Sequence, residues 1–449
     1  MNMNRGIAGR MASLMVLASM LPSCDFIQST TVDPNAVPDA TIDQLFAGIQ
    51  VNTFYFSESQ VGRLAAIWTQ QMAGTDRQFA TLDQYVLTEG DADGEFSSVY
   101  TGGGLVDLKR AVALAEDGGR RVYAGILKIH EAYLVGMAAS VWGDIPFSQA
   151  ADPGVATPAL DDQSQVYASV GQMLDAAIAD ISSGEGTGPG GSDLNFGGDA
   201  DAWLQIAYTL KARFLMHQAE LGGAAMYQAA LTAARLGIDD PNRNWRAIHS
   251  TAAPEQNLWF QFMRDRSGYI SGGDYLIPLM TANQDPRLSL YFAQVDGAYQ
   301  PRVSSLSETG FGARDFSFPF VTCAEARFIE AEASYRLGDE AGARGAALAG
   351  LACQESEWSV DLSGIATTLQ AAGGPELFDR IMEQKYTALF LNAEVWNDYK
   401  RTCRPGFVPR AGGVPGRLFY GLTERQTNPN IPAPAQQPQR NANDPNPCT

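Results

Sequence analysis

Apolar residues recur along much of the chain at steps of three and four, the spacing that gathers side chains on one face of an α-helix. The clearest such stripe consists of Val166, Val170, Leu174, Ile178 and Ile181. Asp162, with Gln165 three positions later, predicts a side-chain cap at the start of this helix, and Gly184 predicts its end. Clear alternating patterns typical of β-strands are scarce. The sequence therefore predicts a mainly α-helical fold.

Several other segments repeat this pattern and suggest pairs of consecutive helices. One stripe is Ile126, Ile129, Tyr133, Met137 and Val141, and another is Trp203, Ile206, Leu210, Phe214 and His217. Residues 324–337 and 341–351 predict a helical hairpin joined at Gly338, with alanines at the contact positions. Residues 375–390 and 394–400 predict two more helices. The predicted architecture is a scaffold of helix–turn–helix pairs.

Three stretches depart from the helical pattern. Residues 184–198 are rich in Gly and Ser and predict a surface loop. Residues 251–320 form a long irregular region with many aromatic residues, and irregular stretches of this length inside a folded domain are usually functional. Residues 424–449 contain six prolines, so we expect an extended, non-helical tail.

The N-terminus has the features of an export signal. Arg5 and Arg10 precede an apolar run over residues 11–21, which is shorter than the ~20 residues needed to span a bilayer. The run ends in Leu21-Pro22-Ser23-Cys24, which resembles a bacterial lipobox, although Pro22 replaces the usual small residue. We predict a signal peptide over residues 1–23, lipidation of Cys24, a tether over 24–40 and a single domain over 41–449. An ordinary secretory signal with an unrelated cysteine is the alternative.

The charge balance narrows the classes of partner. The 449 residues carry a formal net charge of −19, which argues against nucleic acid and against an anionic membrane surface, because both need basic protein surface. We expect contact with a membrane through the lipid anchor only.

The residue inventory also argues against catalysis and metal binding. With only three histidines, no His-Glu-x-x-His and no Cys-x-x-Cys motif, we expect no metal site and no cofactor. The acidic run at residues 91–95 lacks the EF-hand glycine and glutamate positions, so it is interpreted as a helix N-terminus. His217 is interpreted as a core histidine.

Four cysteines remain after Cys24, which in an exported protein indicates two disulfides with three possible pairings. Antiparallel helices in the predicted hairpin would bring Cys323 and Cys353 together. Cys403 and Cys448 would then pin the proline-rich tail to the helix at residues 394–400. We predict these two pairs.

The irregular regions combine aromatic rings with charged side chains. A pyranose offers an apolar face for stacking and a rim of hydroxyls for hydrogen bonding, so such a mixture favours sugar recognition. We predict one binding face formed by residues 76–85 and 251–320. The predicted stacking rings are Phe79, Tyr85, Tyr269, Tyr299 and Phe311, and the predicted hydrogen-bonding residues are Asp76, Arg77 and Arg266.

An ordered set of short sequence blocks resembles the SusD/RagB family of outer-membrane nutrient-binding lipoproteins. The blocks span nearly the whole mature chain and include residues 142–147 (WGDIPF), 158–163 (PALDDQ), 210–214 (LKARF), 324–332 (AEARFIEAE), 389–392 (LFLN), 396–398 (WND), and Glu424 and Arg425 with residues 428–430 (NPN). The resemblance implies tetratricopeptide-like helix pairs, no catalytic activity, and a lid-like position over a SusC-like TonB-dependent transporter. It also implies capture of glycans, or in some members peptides, outside the cell.

Other functions stay open from the sequence. The same architecture could capture peptides, a lipid-anchored glycoside hydrolase would need only a carboxylate pair, and a tetratricopeptide-type scaffold would need no ligand. The aromatic-rich region 251–320 argues against a pure scaffold.

Overall fold

The computed structural model describes residues 40–448, which are mainly α-helical, as predicted, and also contain three short strand pairs. The α-helices are α1 (Ile42–Glu58), α2 (Gln60–Trp68), α3 (Arg77–Asp83), α4 (Asp93–Ser98), α5 (Leu105–Asp117), α6 (Arg121–Trp142), α7 (Gln163–Ser183), α8 (Ala200–Met216), α9 (Ala219–Gly222), α10 (Ala224–Ala234), α11 (Leu258–Asp265), α12 (Leu276–Ala282), α13 (Leu288–Tyr291), α14 (Cys323–Arg336), α15 (Glu340–Trp358), α16 (Ser363–Ala371), α17 (Gly374–Ala388), α18 (Glu394–Thr402) and α19 (Leu422–Thr427). The strands are β1 (Met72–Gly74), β2 (Ile145–Pro146), β3 (Leu160–Asp161), β4 (Trp245–Ala247), β5 (Ile270–Gly272) and β6 (Phe318–Val321). Residues from Ile42 onward group into one compact unit. The signal peptide, Cys24 and almost all of the tether lie outside the described residues.

Helices that are neighbours in sequence pack in pairs, which is the tetratricopeptide-like arrangement expected. The pairs α5/α6, α6/α7 and α14/α15 make extensive contacts, and α8 packs against α10. Helix α6 lies at the centre: every residue in it except Arg121 and Lys128 is buried. The sequence predicted one apolar stripe on this helix, but neighbours cover it on all sides.

Helix α7 begins differently from the prediction and ends as predicted. Asp162 makes no side-chain cap. Instead the Asp144 carboxylate accepts from the Gln163 backbone N–H at 2.8 Å, while Asp161 accepts from the backbone N–H of Phe147 at 2.9 Å. These carboxylates fasten the β2–β3 pair to the helix start. At the other end Gly184 adopts φ 65°, the left-handed conformation that commonly closes a helix.

Both disulfides form with the predicted pairing. The Cα atoms of Cys323 and Cys353 are 5.9 Å apart, and those of Cys403 and Cys448 are 5.1 Å apart. Helix α15 continues beyond Cys353 to Trp358, so the first disulfide ties the start of α14 to the body of α15 rather than to its end. The second holds the chain terminus against the end of α18.

Buried ion pairs connect the scaffold helices. Arg213 on α8 donates to both carboxylate oxygens of Glu325 on α14, at 2.5 and 2.6 Å. His217 lies between the Tyr167 hydroxyl at 3.0 Å and Glu394 at 2.7 Å. The prediction of a core histidine is therefore confirmed. Arg213 and Glu325 thus join α8 to α14, and His217 joins the end of α8 to α7 and α18.

Two regions, one predicted to be irregular and the other predicted to be non-helical, contain short helices. Residues 251–320 include α11, α12 and α13, linked by turns. The tail predicted to be non-helical over 424–449 starts inside α19, because the first proline after it is Pro429 and leaves the preceding turn free to form. Beyond α19 the tail is irregular apart from a short 3-10 turn at Pro434–Gln436.

Candidate functional site

Strands β1 and β5 bring residues 76–85 next to residues 266–272. They pair antiparallel, with Met72 opposite Gly272 and Gly74 opposite Ile270. The approach depends on small residues: a Cβ on Gly74 would lie 1.9 Å from the Phe79 carbonyl oxygen, and one on Gly273 would lie 2.0 Å from the Gln70 carbonyl oxygen. Two sequence regions almost 200 residues apart therefore meet at one edge, as the predicted binding face requires.

Polar contacts extend the strand pair into the turn before α3. The backbone N–H and the hydroxyl of Thr75 donate to the carbonyls of Tyr269 and Gly268, at 2.9 and 2.7 Å. Asp76 then caps α3 by accepting from the Arg77 N–H at 2.9 Å. Arg77 has φ 48°, a conformation that costs a non-glycine residue roughly 1 kcal/mol or more. The turn is thus held in a strained form that presents Arg77 outward.

At this edge lie the exposed side chains of Asp76, Arg77 and Arg266 and the ring of Tyr269, which together we call the Arg77–Tyr269 surface. The Arg77 guanidinium lies 5.9 Å from the Tyr269 ring centre, and Tyr269 is half-buried. Asp76 and Arg77 are 61 % and 67 % exposed and form only a loose ion pair at 3.9 Å. Because that contact is weak and solvated, both groups are free to bind a ligand. The surface combines one ring with hydrogen-bond donors and an acceptor.

Two of the predicted stacking rings are wrong, because they belong to the core. Phe79 is only 2 % exposed and packs against the rings of Phe262 at 5.1 Å and Tyr269 at 6.3 Å. Phe311 is 3 % exposed and packs among other aromatic rings, including Tyr291 at 5.0 Å. Neither ring can present a face to a sugar. Phe79 instead packs against the Tyr269 ring from the core side.

Tyr85 and Tyr299 lie apart from the Arg77–Tyr269 surface. Tyr85 is half-buried in a separate cleft, and its hydroxyl accepts from the Arg410 backbone N–H at 3.1 Å. Tyr299 is half-buried beside the turn formed by Val295 and Ala298 and packs on the core. The residues predicted to form one binding face therefore lie in three places: the Arg77–Tyr269 surface, the cleft that contains Tyr85, and the position of Tyr299.

An ion-pair cluster fixes the region between the surface and the cleft. Asp83 is 1 % exposed and pairs with Arg302 and Arg410, each at 2.9 Å, and both arginines also reach Asp274 at 2.8 Å. Partial burial opposes ionisation of Asp274, but hydrogen bonds from Arg410 and Arg302 outweigh it and hold its pKa below the usual range. The cluster stays charged and joins α3, β5 and the segment after α18.

An apolar cavity of about 470 Å³ lies beside α1 and was not predicted from the sequence. It is lined by Val51, Tyr55, Leu194 and Ile248, of which Val51 is 62 % exposed. The sequence does contain a signal for this cavity. Val51 and Tyr55 are four residues apart on α1, so they share one side of the helix, and they lie outside the stripe of Phe46 and Ile49 that faces the core.

A buried ion pair closes the polar end of this apolar cavity. His249 contacts the Glu58 carboxylate at 2.5 Å. Burial raises the pKa of Glu58, although His249 opposes the shift. The pKa of His249 is raised in turn: its partial burial works against the proton, but the hydrogen bond that the ring donates to the Glu58 carboxylate prevails.

Between residues 40 and 448, no three His, Cys, Asp or Glu side chains are grouped as metal ligands. None of the helices described in the structure is both long and apolar enough to cross a membrane.

Comparisons with known proteins agree with the sequence blocks and the helical scaffold. A family model described as SusD-like, starch-binding and associating with the outer membrane matches residues 34–420. A chitin-binding SusD homolog from Flavobacterium johnsoniae is similar with a TM-score of 0.76 at 19 % identity, covering 91 % of this chain and all of that one. A SusD/RagB family protein from Bacteroides thetaiotaomicron has a TM-score of 0.72 at 21 % identity, with coverage of 88 % and 95 %. A SusD homolog from Bacteroides fragilis has a TM-score of 0.73 at 21 % identity, with coverage of 90 % and 97 %. No curated protein sequence matches the chain. Because the family model covers most of its length, the chain belongs to the SusD-like family.

Proposed function

We propose that this protein is a non-catalytic lipoprotein that captures glycans through the Arg77–Tyr269 surface and delivers them to a TonB-dependent outer-membrane transporter. The observation that carries the proposal is the match of residues 34–420 to a family described as starch-binding and associating with the outer membrane. The chitin-binding homolog with the same fold also supports a glycan ligand.

The exposed chemistry of the surface suits an uncharged sugar. The half-buried Tyr269 ring offers a flat apolar area, and Phe79 fixes its position from the core side. Arg77 and Arg266 supply donors for ring hydroxyls, and Asp76 supplies an acceptor. Arg77 lies over the ring only loosely, so a sugar can displace it and keep it as a hydrogen-bonding partner.

The anchor and the partner complete the proposal. A lipidated Cys24 would hold the folded domain at the membrane by its tether, as the lipobox-like sequence suggests. A SusC-like transporter would receive the captured glycan, as the family resemblance suggests. Purifying the full chain from native membranes tests the partner: we expect a large β-barrel protein to co-purify, and recovery of the chain without one would contradict this part.

A glycan array tests the ligand class. Detergent-solubilised full-length protein would be applied to neutral and acidic oligosaccharides in parallel with a peptide array. We expect selective binding to one class of oligosaccharide that weakens in Arg77→Ala. Arg235→Ala serves as a matched control, because Arg235 is also an exposed, singly ion-paired arginine but lies on the helical scaffold. Peptide binding without oligosaccharide binding would overturn the proposed ligand, and turnover of a bound oligosaccharide would overturn the absence of catalysis.

A further inference from the structure

The cleft beside Tyr85 is larger than the apolar cavity and has different chemistry. It encloses about 740 Å³ between Tyr85, the glycine-rich segment 411–416 and the proline-rich tail. Arg417 and Arg440 both line it.

Arg417 is buried without a charged partner. It is 6 % exposed, its Nε donates only to the carbonyl of Leu418 at 3.1 Å, and its Nη2 makes no hydrogen bond. The guanidinium lies 4.5 Å from the Tyr420 ring centre. Among the described residues, no carboxylate oxygen lies within 4.0 Å of the Arg417 guanidinium. A buried guanidinium with unused donors favours an acceptor that the chain itself does not provide.

Arg440 likewise has no carboxylate partner within 4.0 Å among the described residues. Its three guanidinium nitrogens donate only to backbone carbonyls: Nε to Asp444 and Nη2 to Lys400, each at 3.1 Å, and Nη1 to Pro447 at 3.4 Å. The nearby Asp444 carboxylate is already paired with the Lys400 ammonium at 3.2 Å. Burial lowers the pKa of Arg440, the direction expected for a cation with too little compensating charge. The cleft wall is therefore cationic in a chain whose net charge is −19.

From this pair of arginines we infer a second binding site, in which the cleft takes the carboxylate of an acidic sugar residue. A guanidinium binds a carboxylate through paired, charge-assisted hydrogen bonds, and the Tyr85 ring in the same cleft offers a face for the sugar. The choice of a uronate over a peptide carboxylate rests on the proposed glycan function. Tyr85 lies two residues after the end of α3, whose first residue is Arg77, so one helix links the two sites.

Calorimetry with matched ligands tests this site. The full-length protein would be titrated with an oligogalacturonate, with its neutral methyl ester, and with an acidic peptide. The main variant is Gln439→Glu, which adds a negative charge at an exposed position lining the cleft. Gln165→Glu is the matched control, because it adds the same charge at an exposed position on α7. Arg417→Gln is a second variant, read only after its unfolding temperature shows that it folds.

We expect the acid to bind about tenfold or more tightly than its ester. Gln439→Glu and Arg417→Gln should remove that preference, and Gln165→Glu should keep it. Equal affinities for acid and ester, or equal effects of Gln439→Glu and Gln165→Glu, would overturn the second site. Preference for the acidic peptide would overturn the sugar assignment. Neutral oligosaccharides that still bind through Tyr269 would leave the proposed function standing in either case, whereas binding of no oligosaccharide would overturn both.

Discussion

Phe79 and Tyr269 are neighbours, but their different burial gives them different roles. Phe79→Ala removes a ring enclosed by Phe262 and Tyr269, so we expect the free energy of unfolding to fall by about 3–5 kcal/mol. Denaturant unfolding measures this loss. An unchanged stability with a lower ligand affinity would mean that Phe79 contacts ligand directly.

The buried carboxylate of Glu131 should make the stability of the protein depend on pH. Burial raises its pKa to about 7, despite the opposing effect of Lys109 and Lys128. Between roughly pH 4.3, the ordinary glutamate value, and pH 7 the folded state binds more protons at this site than the unfolded state does. The contribution of Glu131 to the free energy of unfolding therefore falls as the pH rises from about 4.3 to 7.

We expect Glu131→Gln to remove this loss, making the variant more stable than the parent by up to about 3 kcal/mol at pH 8 and no more stable at pH 4. Chemical unfolding at both pH values measures the difference. Glu376→Gln, at a 65 % exposed position, is the control and should show almost no difference. A Glu131→Gln variant whose advantage is the same at both pH values would contradict the raised pKa.

The sequence predicted the charged residues of the binding surface correctly. It did not predict which aromatic rings are exposed, because that depends on how the fold buries them. Asp76, Arg77 and Arg266 are exposed as expected, because charged groups pay a large cost for burial. Phe79 and Phe311 were chosen for lying in irregular sequence, but an irregular backbone can still point a ring inward. Arg417 and Arg440 lack carboxylate partners, and no sequence signature marks this, because the fold decides which charged groups meet.

At the scale of elements, the two disulfides fasten different parts of the molecule. Cys323–Cys353 closes a separation of 30 residues within the α14/α15 pair, and Cys403–Cys448 closes one of 45 residues between α18 and the tail. Each should contribute about 3–4 kcal/mol by restricting the unfolded chain.

Replacing each pair by alanine should lower the unfolding temperature in both cases, but only the Cys403/Cys448 variant should release the tail. Hydrogen exchange of residues 428–448 measures that release, and the Cys323/Cys353 variant is its control. Equal exchange in the tail of both variants would show that the tail is held by its other contacts.

Helix pairs were predictable because their apolar spacing and turn glycines are local signals. The α14/α15 hairpin and the Gly184 helix end follow from such signals. The cap of α7 did not, because its carboxylate comes from Asp144, 19 residues earlier in the chain. The pairing of β1 with β5 also could not be predicted, because a strand of three residues is too short to show a recognisable alternation of apolar and polar residues.

At the scale of the whole molecule, attachment to the membrane depends on Cys24 if the lipobox is used. We expect Cys24→Ala to move the protein into the soluble fraction and to abolish labelling with a fatty-acid analogue, because two or more acyl chains are what makes anchoring stable. Cys403→Ala serves as a control for loss of a cysteine. A Cys24→Ala protein that remains membrane-bound and labelled would contradict the anchor.

Calorimetric titration of the full chain with its best neutral oligosaccharide tests glycan capture at the Arg77–Tyr269 surface most directly. Tyr269→Ala is compared with Tyr335→Ala, which removes a half-buried tyrosine stacked on Phe378 in the scaffold. We predict that Tyr269→Ala weakens binding by about 1–3 kcal/mol while Tyr335→Ala leaves the affinity unchanged. Full affinity in a folded Tyr269→Ala protein would contradict the claim.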